Sequence, residues 1–280
     1  MCKPFELITP QSNVIPLIFD SPHSGSSFPS DFVSDVSASQ LKTGWDAFIE
    51  ELWEASTNFG AHLLHAKFSR MYIDPNRAPD DIDPEMLDET WEQCNPTKYS
   101  LRGMGLIRRF ALPDVPMYTA PLTKKLISNR ITKFYMPYHQ KLTELLDTQY
   151  QKFGGVWHID CHSMKSTGNQ MNIDSGKPRP DIILGDNDGQ CASNEFVSIV
   201  EQAFINRGYS VVRNDPYKGG YLINHYADVK NNRHSMQIEI NRSLYMNEKT
   251  FERNENFENF KHDLSQISQE ISYYVKEQIK

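Results

Sequence analysis

The sequence predicts a layered α/β/α fold. Three observations carry this reading. Short apolar runs alternate with longer amphipathic stretches along the whole chain. At 280 residues the chain is ample for a real core. Several apolar runs also end on a polar residue of the kind found in active sites, which is where an open α/β sheet gathers its chemistry.

The elements follow in order. Pro16 to Asp20 (PLIFD) is a short apolar strand. Leu41 to Asn58 reads as one helix whose apolar face carries Trp45, Phe48, Ile49, Leu52 and Trp53. Ala61 to His65 and Met71 to Asp74 read as strands. A long helical stretch runs from Leu122 to Phe153, with a kink or boundary expected at Pro137. Gly154 and Gly155 introduce a buried strand at Val156 to Cys161. A helix from Asn194 to Arg207 ends at Gly208, which suits a C-terminal cap. Tyr209 to Arg213 and Ser235 to Ile240 supply two more strands. The final helix starts at about Phe257 and lines up Phe260, Leu264, Ile267, Ile271 and Val275. Two stretches, Ala78 to Pro113 and Lys165 to Gln190, read as irregular, and loops this long are usually functional covers or disordered.

Hydrophobic (39%) and charged (23%) contents are those of an ordinary globular protein. The net charge of −7 gives no basic face for nucleic acid, although a few arginines in a cleft can still bind an acidic substrate. Cys2, Cys94, Cys161 and Cys191 are scattered and form no disulfide framework. The N-terminus lacks a signal-peptide pattern, and no run approaches the roughly 20 apolar residues of a membrane helix. A soluble, cytoplasmic protein is expected.

The chemistry sits in SPHSG at His23, IDPNR at Arg77, DCHSM at His162 and QIEINR at Glu239. Neutral imidazole is a standard zinc ligand, and an open catalytic site takes three protein ligands plus water. His23 and His162, each at a strand end and followed by Ser, fit that role. The third ligand should be a carboxylate. Asp46 is the best candidate, because it lies among Ile49 and Trp53 on an apolar helix face, where an unpaired carboxylate is costly. The alternative for Asp46 is a helix cap near Thr43. Alternation puts His158, Asp160 and His162 on one strand face and Cys161 on the other. Asp160 could orient a metal-bound histidine, and an H-x-D-x-H ligand trio would chelate with poor geometry. Glu239 faces away from Ile238 and Ile240, so it is a candidate general base with a pKa raised by partial burial.

Arg77 suits a bidentate carboxylate contact. Arg130 lies on the apolar stripe of its helix, beside Ile127, Ile131 and Phe134, and must either pair internally or point into the site. Arg213, Lys218 and Arg242 are weaker candidates of the same kind. Pro216 to Tyr221 reads as a mobile glycine loop near the substrate. The second HSM tripeptide, at His234, precedes its strand and is taken as coincidence.

These segments resemble the N-formylglutamate amidohydrolase family. The matching pieces are SPHSG, the W-D-x-F-I-x-E-L stretch from Trp45, SRMYIDPNR (Ser69 to Arg77), R-I-x-x-F-Y-x-P-Y-H from Arg130, DCHSM, PDIILGDNDG, DPYKGGY and MQIEINRSLYM. They span nearly the whole chain. The resemblance implies a single domain over residues 1–280, a three-layer α/β/α fold with a central mixed sheet, phosphorylase/hydrolase-like and related to zinc carboxypeptidases and aspartoacylase-type deacylases. It implies one zinc ion, a small acidic N-acyl amino acid as substrate, and formate and glutamate as products. It places the functional residues at His23, Asn76–Arg77, His162 and Glu239, with Arg130 or Lys218 as a second cation for the substrate. One departure stands out: Ser26 occupies the position where the relatives' glutamate ligand is expected, which is why Asp46 enters. Rival readings are a zinc deacylase or peptidase for another N-acyl compound, a non-catalytic binder of acidic metabolites, and a cysteine hydrolase built on Cys161.

Overall fold

A computed structural model describes residues 3–279, so Cys2 lies outside the described residues. Seven strands form the central sheet: β1 (Phe5–Ile8), β2 (Leu17–Ser21), β3 (His62–Ala66), β4 (Val156–Met164), β5 (Ile182–Gly185), β6 (Val211–Arg213) and β7 (Arg233–Asn241). Their spatial order is β1-β3-β2-β4-β7-β5-β6. β3, β2, β4 and β7 run parallel, β1 is antiparallel to β3, and β5 is antiparallel to β7. The sheet is therefore mixed, as expected, and the parallel strands β2, β4 and β7 bring their carboxyl ends to one edge.

Helices cover both faces. Leu17, Phe19, Trp157, Ile159, Cys161, Met236, Ile238 and Ile240 pack on one side against Trp53, Phe196, Phe260, Leu264 and Ile267. The last three belong to the helix Phe257–Gln278, whose five-residue apolar stripe is fully buried as the 3.6-residue period predicts. Each such side chain contributes about 1.5–3 kcal/mol on burial. On the other face Ile18, Leu64, Ala66 and Val156 meet Tyr138, Leu142, Leu145 and Leu146 of the helix Met136–Phe153. Toward the carboxyl edge this second face turns polar, with Asp20, His158, Asp160, His162, Ser235, Gln237 and Glu239 all buried. Among the described residues no helix is long and apolar enough to cross a membrane.

Three local expectations need correction, and one at Pro137 holds. The helix expected from Leu41 to Asn58 is broken into Ala38–Leu41, a 3₁₀ turn, Ile49–Trp53 and a second 3₁₀ segment. The break falls at Asp46, whose N–H donates to His23 O (3.1 Å), while Phe48 takes a left-handed φ of 66°. The boundary expected at Pro137 is present, since a new α-helical segment opens at Met136 with Pro137 in its first turn. A π-helical turn, Ile131–Tyr135, precedes Met136–Phe153, and that wider turn accommodates a ring with no N–H to donate. Met71 to Asp74 is not a strand: Tyr72 N–H closes a turn on Ser69 O, and Asp74 N–H goes to Leu106 O (2.8 Å). Finally, β5 lies inside the stretch expected to be irregular, and β1 was not anticipated.

Candidate active site

The three expected metal ligands converge. β2 ends at Ser21, and the chain turns through Pro22 to Gly25. A Cβ on Gly25 would lie 2.4 Å from Phe68 O, so only glycine lets the backbone pass this close. That turn leaves His23 buried, with Nε2 donating to Asp74 Oδ1 at 2.6 Å and Nδ1 facing the site. His162 arrives on the polar face of β4, its Nε2 2.8 Å from Asp160 Oδ1 and its Nδ1 3.2 Å from Asp46 Oδ2. Asp46 Oδ2 is also 3.6 Å from His23 Nδ1. Its Oδ1 accepts from Arg242 Nη2 at 2.7 Å. One ligand atom each from His23, Asp46 and His162 lie within 4.8 Å of one another. Ser26 is exposed and takes no part.

Burial alone would raise the Asp46 carboxyl, but hydrogen bonds to His162 and His23 and the charge of Arg242 hold it well below the usual range. Burial and the neighbouring Arg70 push the His23 imidazole down, toward the neutral form that ligates a metal. Burial opposes charge on His162, yet Asp160 and Asp46 outweigh it and drive that pKa well up. An N,N,O donor set of this kind suits zinc. Each ligand is further held by a partner: His23 by Asp74, His162 by Asp160, Asp46 by Arg242. Such outer contacts fix ring orientation and tautomer.

Glu239 is the register partner of His162 across β4 and β7. It is buried, and Gln237 Nε2 donates to its Oε1 at 2.7 Å. Burial and the Asp46 charge push its pKa up to about 7, against the pull of His162, Arg70 and Arg179. A carboxyl poised there can take and return a proton near neutral pH.

The expected substrate contacts are placed very differently from one another. Arg77 is half-buried, with Nε and Nη1 donating to Met104 O (2.9 Å) and Asn76 O (2.6 Å) and its guanidinium 4.3 Å from the Tyr99 ring centre. Its Nη2 has no partner among the described residues. Asn76 is an internal brace: Nδ2 donates to Asp160 Oδ2 (3.1 Å) and lies 2.9 Å from His162 Nε2, while Oδ1 accepts from Leu222 N–H. A Cβ on Gly220 would lie 2.3 Å from Asn76 Oδ1, so the glycine loop packs directly against this brace.

Arg130 does not reach toward the metal ligands. It is fully buried in an aromatic cage of Phe32, Tyr72 and Tyr118, and Nη1 donates to Tyr72 O and Tyr118 Oη. Its position on the apolar stripe reflects internal pairing, the other half of what the sequence allowed. Lys218 is exposed and pairs with Asp188 at 2.6 Å. The H-x-D-x-H alternative also falls away, because His158 is fully buried between Asp20 (2.8 Å) and Ser235 (2.7 Å). Cys161 lies on the opposite face of the sheet, in the apolar core.

Two functional residues were not singled out by sequence reasoning. Arg70 donates to His23 Nδ1 (2.8 Å) through Nη1 and grips Asp74 Oδ2 through Nε and Nη2. Arg179 pairs with Asp174 and stacks on Tyr217, near Glu239. Arg70 lies in the SRMYIDPNR segment, so the i,i+4 spacing to Asp74 was the available signal.

A sequence profile of the family described as N-formylglutamate amidohydrolase matches residues 15–246. The crystal structure of N-formylglutamate amidohydrolase from Ralstonia eutropha JMP134 is 42% identical, covers 99% of each chain and superposes with a TM-score of 0.95. N-formylglutamate deformylases from Pseudomonas putida (28% identity, 84% of this chain, 83% of theirs) and Pseudomonas aeruginosa (27%, 87% and 86%) are also similar. The chain belongs to the N-formylglutamate amidohydrolase family and is a hydrolase of amide bonds.

Proposed function

We propose that this protein cleaves N-formyl-L-glutamate to formate and glutamate, with zinc held by His23, Asp46 and His162 and with Glu239 as the proton-transfer group. The convergence of the three donors beside the buried Glu239 carries the reading. When bound, zinc supplies a Lewis acid and lowers the pKa of water toward about 7. Glu239 accepts a proton from the attacking water at its carboxylate. As the formyl C–N bond breaks, the same carboxyl returns that proton to the leaving nitrogen. Arg77 holds a substrate carboxylate through Nη2, the guanidinium nitrogen its internal bonds leave free. Asp74, Asp160 and Arg242 keep the ligand atoms aimed, and Asn76 ties His162 to the loop that begins at Gly219.

Metal analysis of the purified protein, paired with formate release from N-formyl-L-glutamate before and after chelation, tests this. Near-stoichiometric zinc and chelator-sensitive release are expected. Zinc without release would retain the deacylase centre and exclude this substrate. Release that persists after complete metal removal would overturn the zinc mechanism.

A further inference from the structure

A dicarboxylic substrate needs a second cation, and neither Arg130 nor Lys218 is placed to supply it. Arg108 is. Its side chain is buried, with 8% exposure, yet its Nε has no hydrogen-bond partner and no ion pair reaches its guanidinium among the described residues. Among the described residues the other buried arginines each make side-chain hydrogen bonds, Arg130 (whose Nε is likewise unpartnered) to Tyr72 and Tyr118, Arg179 to Asp174, and Arg242 to Asp46 and Ser163, whereas Arg108 makes none. Even the adjacent Arg109 finds Asp83 and Glu85 on the outside of the loop.

The loop also carries Arg108 to the right place. Leu106 O accepts from Asp74 N–H at 2.8 Å, Met104 O accepts from Arg77 Nε at 2.9 Å, and Met104 and Arg108 bridge each other. The residues around Arg108 are thus clamped to the partner of His23 and to the first carboxylate anchor. Arg70, Arg77, Asp74 and Asp46 are the charges that act on it. An unpaired buried guanidinium is expensive, and an anionic ligand removes that cost. Burial, reinforced by Arg70 and Arg77, pushes its pKa down to about 9, the direction expected for a charge awaiting a partner.

We propose that Arg108 binds the side-chain carboxylate of a dicarboxylic N-acyl amino acid and so sets the preference for acidic substrates. This rests on the reading given under Proposed function. Arg77 takes the α-carboxylate, because Asn76 beside it touches His162 and so fixes it next to the reacting end. Arg108 reaches the far end from the loop of residues 78–113.

The test compares zinc-loaded wild type and Arg108→Met on N-formyl-L-glutamate and N-formyl-L-glutamine. The ratio of kcat/KM for glutamate over glutamine should fall roughly 100-fold in the variant, with the glutamine substrate changing only a few-fold. The Tm of the variant should stay level or rise, because no internal partner is lost. An unchanged ratio, or a lowered Tm with both substrates falling together, would overturn the assignment. If wild type hydrolyses neither compound, the deformylase reading fails on its own. Calorimetric binding of glutarate then decides the role of Arg108. Weaker binding by Arg108→Met supports it, and equal or absent binding in both proteins overturns it.

Discussion

His162 and Glu239 stand directly opposite each other across the parallel strands β4 and β7, a buried imidazole and a buried carboxyl on one polar face. Parallel register makes this pairing rigid, since a slip of one residue would send both side chains into the apolar layer. A proton carrier is therefore fixed beside the proposed metal centre by backbone geometry rather than by a flexible loop.

Replacing Glu239 by Gln keeps the shape and the bond with Gln237 but removes the proton carrier. The turnover number should fall on the order of 10²- to 10⁴-fold, with zinc content unchanged. In zinc-loaded wild type, kcat/KM should decline toward acid pH as the carboxyl protonates, with a midpoint drawn below that of the metal-free protein by the charge of the ion. Stability moves the opposite way. A carboxyl whose pKa rises from 4.5 to about 7 on folding contributes stability that is full below 4.5 and lost as the pH passes 7. Metal-free E239Q should thus melt higher than metal-free wild type above pH 7, and this gap should close toward pH 4.5. Thermal melts across that range would show it, and a gap of the reverse sign would contradict the burial-driven shift.

Asp74 acts on His23 at 2.6 Å and fixes which ring nitrogen faces the site. Asp74→Asn should weaken metal affinity about 10- to 100-fold. Competition with a chromogenic chelator measures this directly. Because Arg70 would lose a carboxylate partner as well, the variant should also be less stable, and the affinity comparison belongs at a temperature well below its Tm.

Metal removal should cost stability together with activity. The three donors gather at one buried point only when the chain is folded, so the proposed zinc would bind the native state preferentially. At a free concentration 1,000 times the dissociation constant this linkage is worth about 4 kcal/mol. Adding zinc to the chelated protein should therefore raise Tm and restore formate release together. Restoration of one without the other would separate the metal site from the catalytic site.

How much of this was legible depended on distance along the chain. That His162 and Glu239 share a polar face is legible because strand alternation places a side chain on one of two faces, and both runs are long enough to show it. Asp46 was found because a carboxylate among Ile49 and Trp53 requires a partner, although the regular helix drawn around it does not exist. Its N–H is claimed by His23, 23 residues earlier, which no local period reports. Met71 to Asp74 misleads for the same reason: three apolar residues and an aspartate cannot be told from a turn whose next hydrogen bond ends at Leu106. The roles of Arg70, Arg108 and Arg130 depend on which distant groups fold against them. Charge type alone could not separate a structural arginine from a substrate anchor.

Arg130 makes that separation measurable. Its guanidinium sits 4.3 Å from the Tyr72 ring centre and donates through Nη1 to Tyr72 O and Tyr118 Oη, with no exposure to solvent. The role is internal, joining the helix Lys124–Arg130 to the turn that precedes Asp74. Arg130→Met removes the donor, leaves Tyr72 O unsatisfied and empties part of the cage. A loss of about 3 kcal/mol is expected, read as a lower denaturation midpoint. On the fraction that remains folded, KM for N-formyl-L-glutamate should stay within a few-fold of wild type, because this guanidinium touches no substrate. A large rise in KM at unchanged stability would instead return Arg130 to the substrate-binding role that its place in the sequence first suggested.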